Sequence, residues 1–387
     1  MVFGLGPGNR CPHILVFSVL ILITLGMVML ASTSAFQANV DADDLYFEVK
    51  RQALWGVAGI SVALFFAQID YRRIQNWIWP VYAVAAVLLI ACFIPAIGQE
   101  INGERRWINS AFIGINFRVQ PSEFAKLVLI ATLATWFARY SNSIHDVRLG
   151  FLFPTVIAGF ILALIAAEVD IGTTAVLTGV VFALMFIAGC NRRLLFGGAI
   201  AATLGLATLV ALVPGRMTRV MAILKPEEHE HGVGLQQNMA KLALGSGGVD
   251  GMGLGEGSLK MLYMPFAHTD FIFPMIGEEL GLVGTLTVLA CFAGFAWSGT
   301  VISQRAPDSF GRLLGIGIVL CVSIQAALNI AVTTAVFPNT GLPLPFVSYG
   351  GSNLICSLMG VGILLSIHRQ SPKSFSPHSD AVFAPRI

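Results

Sequence analysis

The residues with the greatest capacity for chemistry lie between Met264 and Gly281. A polar triplet, His268-Thr269-Asp270, stands where a long hydrophilic stretch meets an apolar one, and two adjacent carboxylates, Glu278 and Glu279, follow. A carboxylate at the edge of a membrane span is expensive to desolvate, so its presence there implies a task. Asp270 can take a proton from a substrate, pair with a cation, or cap the helix that follows it. His268 sits so close to Asp270 that it reads as an orienter of the loop rather than as a base. Glu278 and Glu279 either line a cavity, holding a divalent ion with Asp270, or serve as buried hydrogen-bond anchors.

The rest of the chain must position this corner. Of its 387 residues 56% are hydrophobic and 11% charged, against about 25% charged in a soluble domain, so lipid is its main solvent. Spanning the hydrocarbon takes about 20 apolar residues per helix. Ten candidate spans follow: 14–35, 53–69, 77–97, 122–139, 150–168, 173–190, 194–213, 271–301, 313–336 and 353–367. Glu168-Val169-Asp170-Ile171-Gly172-Thr173-Thr174 is either a tight external turn between the fifth and sixth spans or a break in one longer span. The expected fold is all-α, a polytopic membrane bundle of about ten helices, because helices satisfy their own backbone in lipid. The first apolar segment is too long for a signal-peptide core and reads as an uncleaved anchor. The six cysteines form no CxxC pair, which points to helix packing rather than disulfides or metal ligation.

Charge sets the orientation. The segments on the side of the two termini hold twelve basic residues, among them Arg72, Arg73, Arg192, Arg193, Arg305 and Arg369, against four acidic ones, Asp70, Asp146, Asp308 and Asp380. Positive charge belongs inside, so both termini are cytoplasmic and the informative loops face outward. Residues 1–370 then form one integral membrane domain with a large extracytoplasmic loop over about 214–270, and 371–387 read as a disordered cytoplasmic tail. The glycine run from Gly245 to Gly257 lacks the Lys-Ser/Thr ending of a P-loop and follows no strand. Loop flexibility is the simpler account of it, although glycines also let backbone amides approach a phosphate or a partner chain. No feature suggests nucleic acid.

Five patches, in order, resemble one family, the SEDS proteins (shape, elongation, division and sporulation), and within it the FtsW branch. Asn102-Gly103-Glu104-Arg105-Arg106-Trp107 is similar to the family's Asn-Gly-Ala-Arg-Arg-Trp. Gln120-Pro121-Ser122-Glu123-Phe124-Ala125-Lys126 resembles its Gln-Pro-Ser-Glu-x-x-Lys. Asp170-Ile171-Gly172-Thr173 matches the end of its Gln-Pro-Asp-Leu-Gly-Thr. His268 through Gly281 resembles its His-Thr-Asp-Phe-Ile-Phe segment with the Gly-Glu-Glu-Leu-Gly that follows. Asn339 to Phe346, with Ser348-Tyr349-Gly350-Gly351-Ser352, resembles its last external loop. The likeness runs from about Gly26 to Ile367. The chain departs from the pattern at Phe266, where a glutamate is usual, at Glu168-Val169 in place of Gln-Pro, and at Met239-Ala240 in place of Gln-Ser. Gln236 fits the family's first loop glutamine. The choice of the FtsW branch rests on Tyr46–Gln52 and on the extra residues around Gln99–Asn102.

The resemblance implies a peptidoglycan glycosyltransferase of the bacterial cytoplasmic membrane that polymerises lipid II, the undecaprenyl-pyrophosphate-linked disaccharide-pentapeptide. A sugar 4-hydroxyl attacks an anomeric carbon and the lipid pyrophosphate departs. A pyrophosphate leaves well once its charge is neutralised, so cations and one general base suffice, unlike the carboxyl pair of a glycosidase. Asp270 is the candidate base. Arg106, Lys126 and Lys260 are candidate cations for the pyrophosphate, with Lys126 alternatively a snorkelling lysine or one paired to Glu123 on the same helix face. Glu123, Gln236, His268, Thr269, Glu278, Glu279, Ser348 and Ser352 are further substrate-binding candidates. Asp170 and Thr173 read as structural, Pro345 as a loop former, and Trp107 and Tyr349 as interface aromatics. A Mg²⁺ or Mn²⁺ ion at the pyrophosphate is chemically sensible, although no dedicated ligand set is visible. The family also implies a class B penicillin-binding transpeptidase and other divisome proteins as partners. Two other readings compete, a lipid II flippase with its polar site near the midplane and a non-catalytic division scaffold.

Overall fold

The computed structural model describes residues 10–41, 46–95, 97–101, 104–109, 118–213, 215–225, 234–257 and 269–371, without side chains at 34–41, 101 and 109. The described part is a bundle of long helices with a small sheet at one end. The long helices are α1 (Cys11–Asp41), α2 (Phe47–Gln68), α3 (Arg72–Ala91), α4 (Pro121–Arg139), α5 (Phe153–Ala167), α6 (Ile171–Ala188) and α7 (Arg192–Leu212). After two short loop helices, α8 (Arg216–Leu224) and α9 (Leu235–Ser246), come α10 (Ile272–Gln304), α11 (Ser309–Thr333) and α12 (Gly351–Gln370). A π-helical stretch, Val147–Leu152, leads into α5.

Their limits follow from local chemistry. Pro121 opens α4, where its missing N–H costs nothing. Asp170, Asn191 and Asp308 cap α6, α7 and α11 through backbone N–H groups of the first turn. Gly189 closes α6 in the left-handed conformation. Three residues, Glu168 to Asp170, separate α5 from α6, so the carboxylate stretch is the tight turn rather than a break in one span.

By length and composition eight of these helices can cross a membrane: α1, α3, α5 with its π-helical lead, α6, α7, α10, α11 and α12. The other two expected spans, α2 and α4, are 22 and 19 residues long and more polar. Helix α4 is wrapped by α3, α5, α6, α11 and α12, so Glu123 and Lys126 meet protein rather than lipid. Helices α2 and α12 pack closely because Gly362 faces the Ala63 backbone, where a Cβ would collide with the Ala63 carbonyl oxygen.

The two ends of the bundle differ. At one, Arg72 Nε lies 2.9 Å from Asp308 and Arg369 donates to the Gln68 carbonyl. Pro12 at the start of α1 and His368 at the end of α12 share a groove there, so the chain enters and leaves the bundle at the arginine-rich end. At the other end lies an element absent from an all-helical expectation. It is a small antiparallel sheet of β1 (Gly98–Ile101), β2 (Glu104–Asn109) and β3 (Arg118–Val119), in that order. These strands lie outside the helices able to cross a membrane, and an open sheet edge is tolerated where water can satisfy it.

The glycine run after α9 has a structural purpose instead of flexibility. Helix α10 is broken at Gly281, with φ +65°, and the 248–253 segment lies against that break. Met252 and Gly253 donate to the carbonyls of Glu278 and Glu279, and Leu282 donates to Gly248. A Cβ on Gly251 would overlap the Glu279 carbonyl oxygen, so only glycine lets the two backbones meet.

Candidate functional site

Strand β2 carries the first half of the site. Alternation along a strand sends Glu104 and Arg106 to the same face, and Arg106 Nη2 meets Glu104 at 2.6 Å. Arg216, from the first turn of α8, grips the same carboxylate and also donates to the Val169 carbonyl at 3.1 Å. Below them is Asp170, whose Oδ1 lies 3.9 Å from Arg106 and accepts from the Thr173 N–H at 3.0 Å. Its second oxygen accepts from Gln120 Nε2 at 3.2 Å. Burial works against the charge on Arg106, but Asp170, Glu104 and Asp270 outweigh it, and its pKa is raised. Arg219 on α8 is held below its ordinary value by burial and by Arg216.

Asp270 supplies the second half. Asn329, buried in α11, donates through one amide nitrogen to the carbonyls of Asp270 (2.9 Å) and Leu342 (2.7 Å), clamping the segment that leads into α10 against the 339–346 loop. Asp270 and Arg106 both approach Gly341. A Cβ there would stand 3.5 Å from Asp270 Oδ2 and 4.0 Å from Arg106 Nη2, which bounds the carboxylate-to-guanidinium distance by the sum of the two. Desolvation pushes the Asp270 carboxyl up to about 6, with Arg106 and Arg219 pulling it down and Glu104 and Asp170 adding to the rise. Asn339 braces this loop: it donates to Gln236 at 3.0 Å, accepts from the Gly341 N–H, and receives Arg219 on its carbonyl at 3.3 Å.

The other expected residues divide plainly. Arg106 and Asp270 come together, with Asp170 as a direct neighbour and Gln236 one contact away. Lys126 is committed elsewhere, 2.9 Å from Glu123 and 2.6 Å from Gln325 Oε1, above a cavity of about 20 Å³. Glu123 also accepts from Asn353. Glu278 and Glu279 are buried anchors: Glu279 accepts from Ser32 Oγ and from the Gly255 N–H, and Glu278 packs against Gly257. They do not join Asp270, and no group of three His, Cys, Asp or Glu side chains suited to a metal occurs among the described residues. Ser352 accepts from the Gln120 N–H and Ser348 from the Leu344 N–H, beside a buried Pro345, so all three shape the last loop. Trp107 pairs with Gln99 across the sheet. Tyr349, raised by burial, faces Arg51, and Thr269 flanks Asp270. Lys260, His268 and the tail beyond Ser371 lie outside the described residues. All six cysteines are free and buried.

Sequence reading missed Glu104, Arg216, Arg219, Asn339 and Gly341 as members of the site. Glu104, Asn339 and Gly341 lie in the patches that carry the family resemblance, and Asn329, a polar residue inside an apolar span, was a further signal. Several buried polar atoms around the site have no hydrogen-bond partner among the described residues: Arg106 Nε, Thr173 Oγ1, Thr340 Oγ1, Asn329 Oδ1 and both Glu168 oxygens. Most buried polar atoms are satisfied, and although Glu48, Gln99 and Ser323 carry exceptions elsewhere, the group around Arg106 fits a site that completes its hydrogen bonding with a ligand. Chemically the arrangement offers the Asp270 carboxylate, raised toward neutrality, beside fixed guanidinium groups.

A family model described as a cell cycle protein, covering FtsW, RodA and SpoVE, matches residues 13–373. The chain belongs to this family. It is 38% identical over 354 residues to the probable peptidoglycan glycosyltransferase FtsW of Trichlorobacter lovleyi, covering 92% of each chain. It is 37% identical over 359 residues to stage V sporulation protein E of Bacillus subtilis, covering 92% of this chain and 97% of that one. Among solved structures it resembles a chain of a peptidoglycan synthase complex that coordinates polymerization and crosslinking, with a TM-score of 0.76 and 28% identity over 92% of this chain and 96% of that one. Thermus thermophilus RodA, a rod shape determining protein, matches with a TM-score of 0.67 and 26% identity over 93% and 97%. A polytopic membrane fold of FtsW/RodA type is thereby shown.

Proposed function

We propose that this chain is a peptidoglycan glycosyltransferase of the bacterial cytoplasmic membrane that polymerises lipid II, with Asp270 as general base. The observation that carries the reading is the approach of Asp270, just before α10, and Arg106, from β2, to the same side of Gly341. In the reaction Asp270 takes the proton of an acceptor 4-hydroxyl as its oxygen bonds to the donor's anomeric carbon. The bond from that carbon to the pyrophosphate oxygen breaks, and undecaprenyl pyrophosphate leaves with the electron pair. The guanidinium groups stabilise that charge in a site whose positive groups are already fixed. Arg106 has an uncommitted Nε for this purpose, whereas Lys126 is held by Glu123 and Gln325.

The relatives' names support the activity, and the synthase-complex neighbour supports a class B penicillin-binding transpeptidase as partner. Transport would need an available polar site near the midplane, and the buried Glu123–Lys126 pair of α4 is already engaged, internally and with Gln325 and Asn353. Reconstitution with lipid II, with and without transpeptidase and chelator, beside a fluorescent lipid II flipping assay, tests the proposal. Glycan strands made by the wild-type protein and lost in Asp270→Asn support it. Flipping without polymerisation overturns it.

A further inference from the structure

Glu168 stands directly under this site, where the family's pattern carries glutamine. Its side chain is fully buried, and neither carboxyl oxygen meets a nitrogen or hydroxyl donor among the described residues. The groups that face it are Asp170 and Arg106 from the site side and the Cys92 thiol, a weak donor, from the end of α3. That thiol also lies within reach of the Leu88 carbonyl. The turn is held in place at a cost. Val169, a β-branched residue, has φ +66°, an outlier conformation that persists only where surrounding contacts enforce it, and Arg216 fastens its carbonyl.

A carboxylate anion without strong donors in such a position is far more costly than the neutral acid. The neutral acid has the length of glutamine and, like it, carries both a donor and an acceptor. The charges of the site show why the proton matters. Arg106, Arg216 and Arg219 face Glu104, Asp170 and Asp270, and these six balance. A fourth carboxylate would give the site a net negative charge and compete for Arg106, the wrong sign for a substrate carrying a diphosphate.

We propose that Glu168 is a positioning residue that must keep its proton for Arg106 to be available to the diphosphate. The inference rests on the reading that Arg106 faces that group. Burial, with Asp170 adding to it, raises the Glu168 carboxyl to about 8, so the acid form persists through neutrality and is lost in mild alkali.

The test measures kcat and KM for lipid II against pH in the full-length protein carrying Glu168, Glu168→Gln or Glu168→Ala. With Glu168 present, KM rises by about tenfold per pH unit above about 8, with a smaller change in kcat. Glu168→Gln, fixed in the neutral state, loses that alkaline limb and stays within about threefold of wild type near pH 7. Glu168→Ala, with no donor and an unfilled space, is impaired at every pH. A second measurement avoids catalysis. Affinity for undecaprenyl pyrophosphate in an Asp270→Asn background should show the same alkaline fall while Glu168 is present, and none once Glu168→Gln is added. An alkaline limb shared by wild type and Glu168→Gln, or Glu168→Ala behaving as wild type, overturns the proposal. If Arg106→Ala leaves diphosphate affinity unchanged, the reading of Arg106 fails instead, and the two failures are separable.

Discussion

Replacing Asp270 with asparagine keeps the side chain's shape and removes the one group able to accept the proton. With its carboxyl near 6, Asp270 is about nine-tenths ionised at pH 7, yet still basic enough to take a proton as the acceptor hydroxyl reacts. Loss of a general base typically costs 10²–10⁴-fold, or about 3–5 kcal/mol of barrier. Stability should move in the opposite direction. The folded carboxyl binds its proton more tightly than the unfolded one, so stability is greatest below the unfolded value and declines as pH climbs through about 6. Holding the anion in the fold above that pH costs at most about 3 kcal/mol, which asparagine removes. The Asn329 clamp grips the Asp270 backbone carbonyl, so the substitution leaves it intact. The assay is polymerisation of purified lipid II at several pH values, paired with thermal unfolding in the same detergent. Wild-type kcat/KM should fall about tenfold per unit below pH 6, and Asp270→Asn should be inactive with an equal or higher Tm at pH 7. Near-normal strands from the variant, or inactivity with a lower Tm, would refute the reasoning.

Other substitutions probe the frame around that carboxylate. Arg106→Ala removes the cation that most strongly opposes the rise of the Asp270 carboxyl, so the acid limb of the pH–rate profile should move to higher pH as turnover drops. Gly341→Ala places a residue in a left-handed backbone (φ +67°) and a methyl between Asp270 and Arg106; it should cost about 1–2 kcal/mol of stability and a disproportionate share of activity, read as kcat/KM beside Tm. Asn329→Leu strands the Asp270 and Leu342 carbonyls, at about 1–3 kcal/mol each, and should lower Tm and activity together. Lys126→Met leaves Glu123 buried without its cation, at about 3–5 kcal/mol, and adding Glu123→Gln should recover most of the lost Tm. A double variant no more stable than Lys126→Met would show that pairing with Glu123 is not the role of Lys126.

The parts of this molecule legible in its sequence are those decided by one strong local preference. Apolar runs give the helices, and the asymmetry of arginine matches the end at which the chain enters and leaves the bundle. Asp170, just before Ile171, caps α6 through the Thr173 N–H, a local device of the kind a sequence can show. The sheet carrying Arg106 was not legible, since Gln99 to Asn109 has too little apolar alternation to distinguish strand from loop. Lys126 shows a different limit. A lysine inside a span must find a partner, but spacing alone offered Glu123 and a substrate phosphate equally, and only packing brings Gln325 to 2.6 Å to complete the buried set. The paired glutamates show the same limit: their role as anchors depends on the 248–253 segment folding back on the Gly281 break, a contact between positions about thirty residues apart.

These contacts explain how a site made of loop residues can hold a defined geometry. Asp270, Gly341 and Arg106 all lie outside the long helices, where backbone is ordinarily mobile. Each is tied to a side chain rooted in the bundle or braced against it. Asn329 in α11 holds both Asp270 and Leu342, Gln325 in α11 donates to the Pro343 carbonyl, and Asp170 at the head of α6 faces Arg106. Gln325 is in turn fixed by Lys126, so the Glu123–Lys126 pair reaches the last external loop through one intermediary. Polar groups inside lipid-embedded helices are costly and persist where they satisfy one another. Here their chain ends on backbone carbonyls of the loop that the proposed base and its cation both approach. A change deep in α4 should therefore appear at the rim as a loss of order in residues 339–345. Hydrogen exchange on Lys126→Met, faster there than in β2, would detect it.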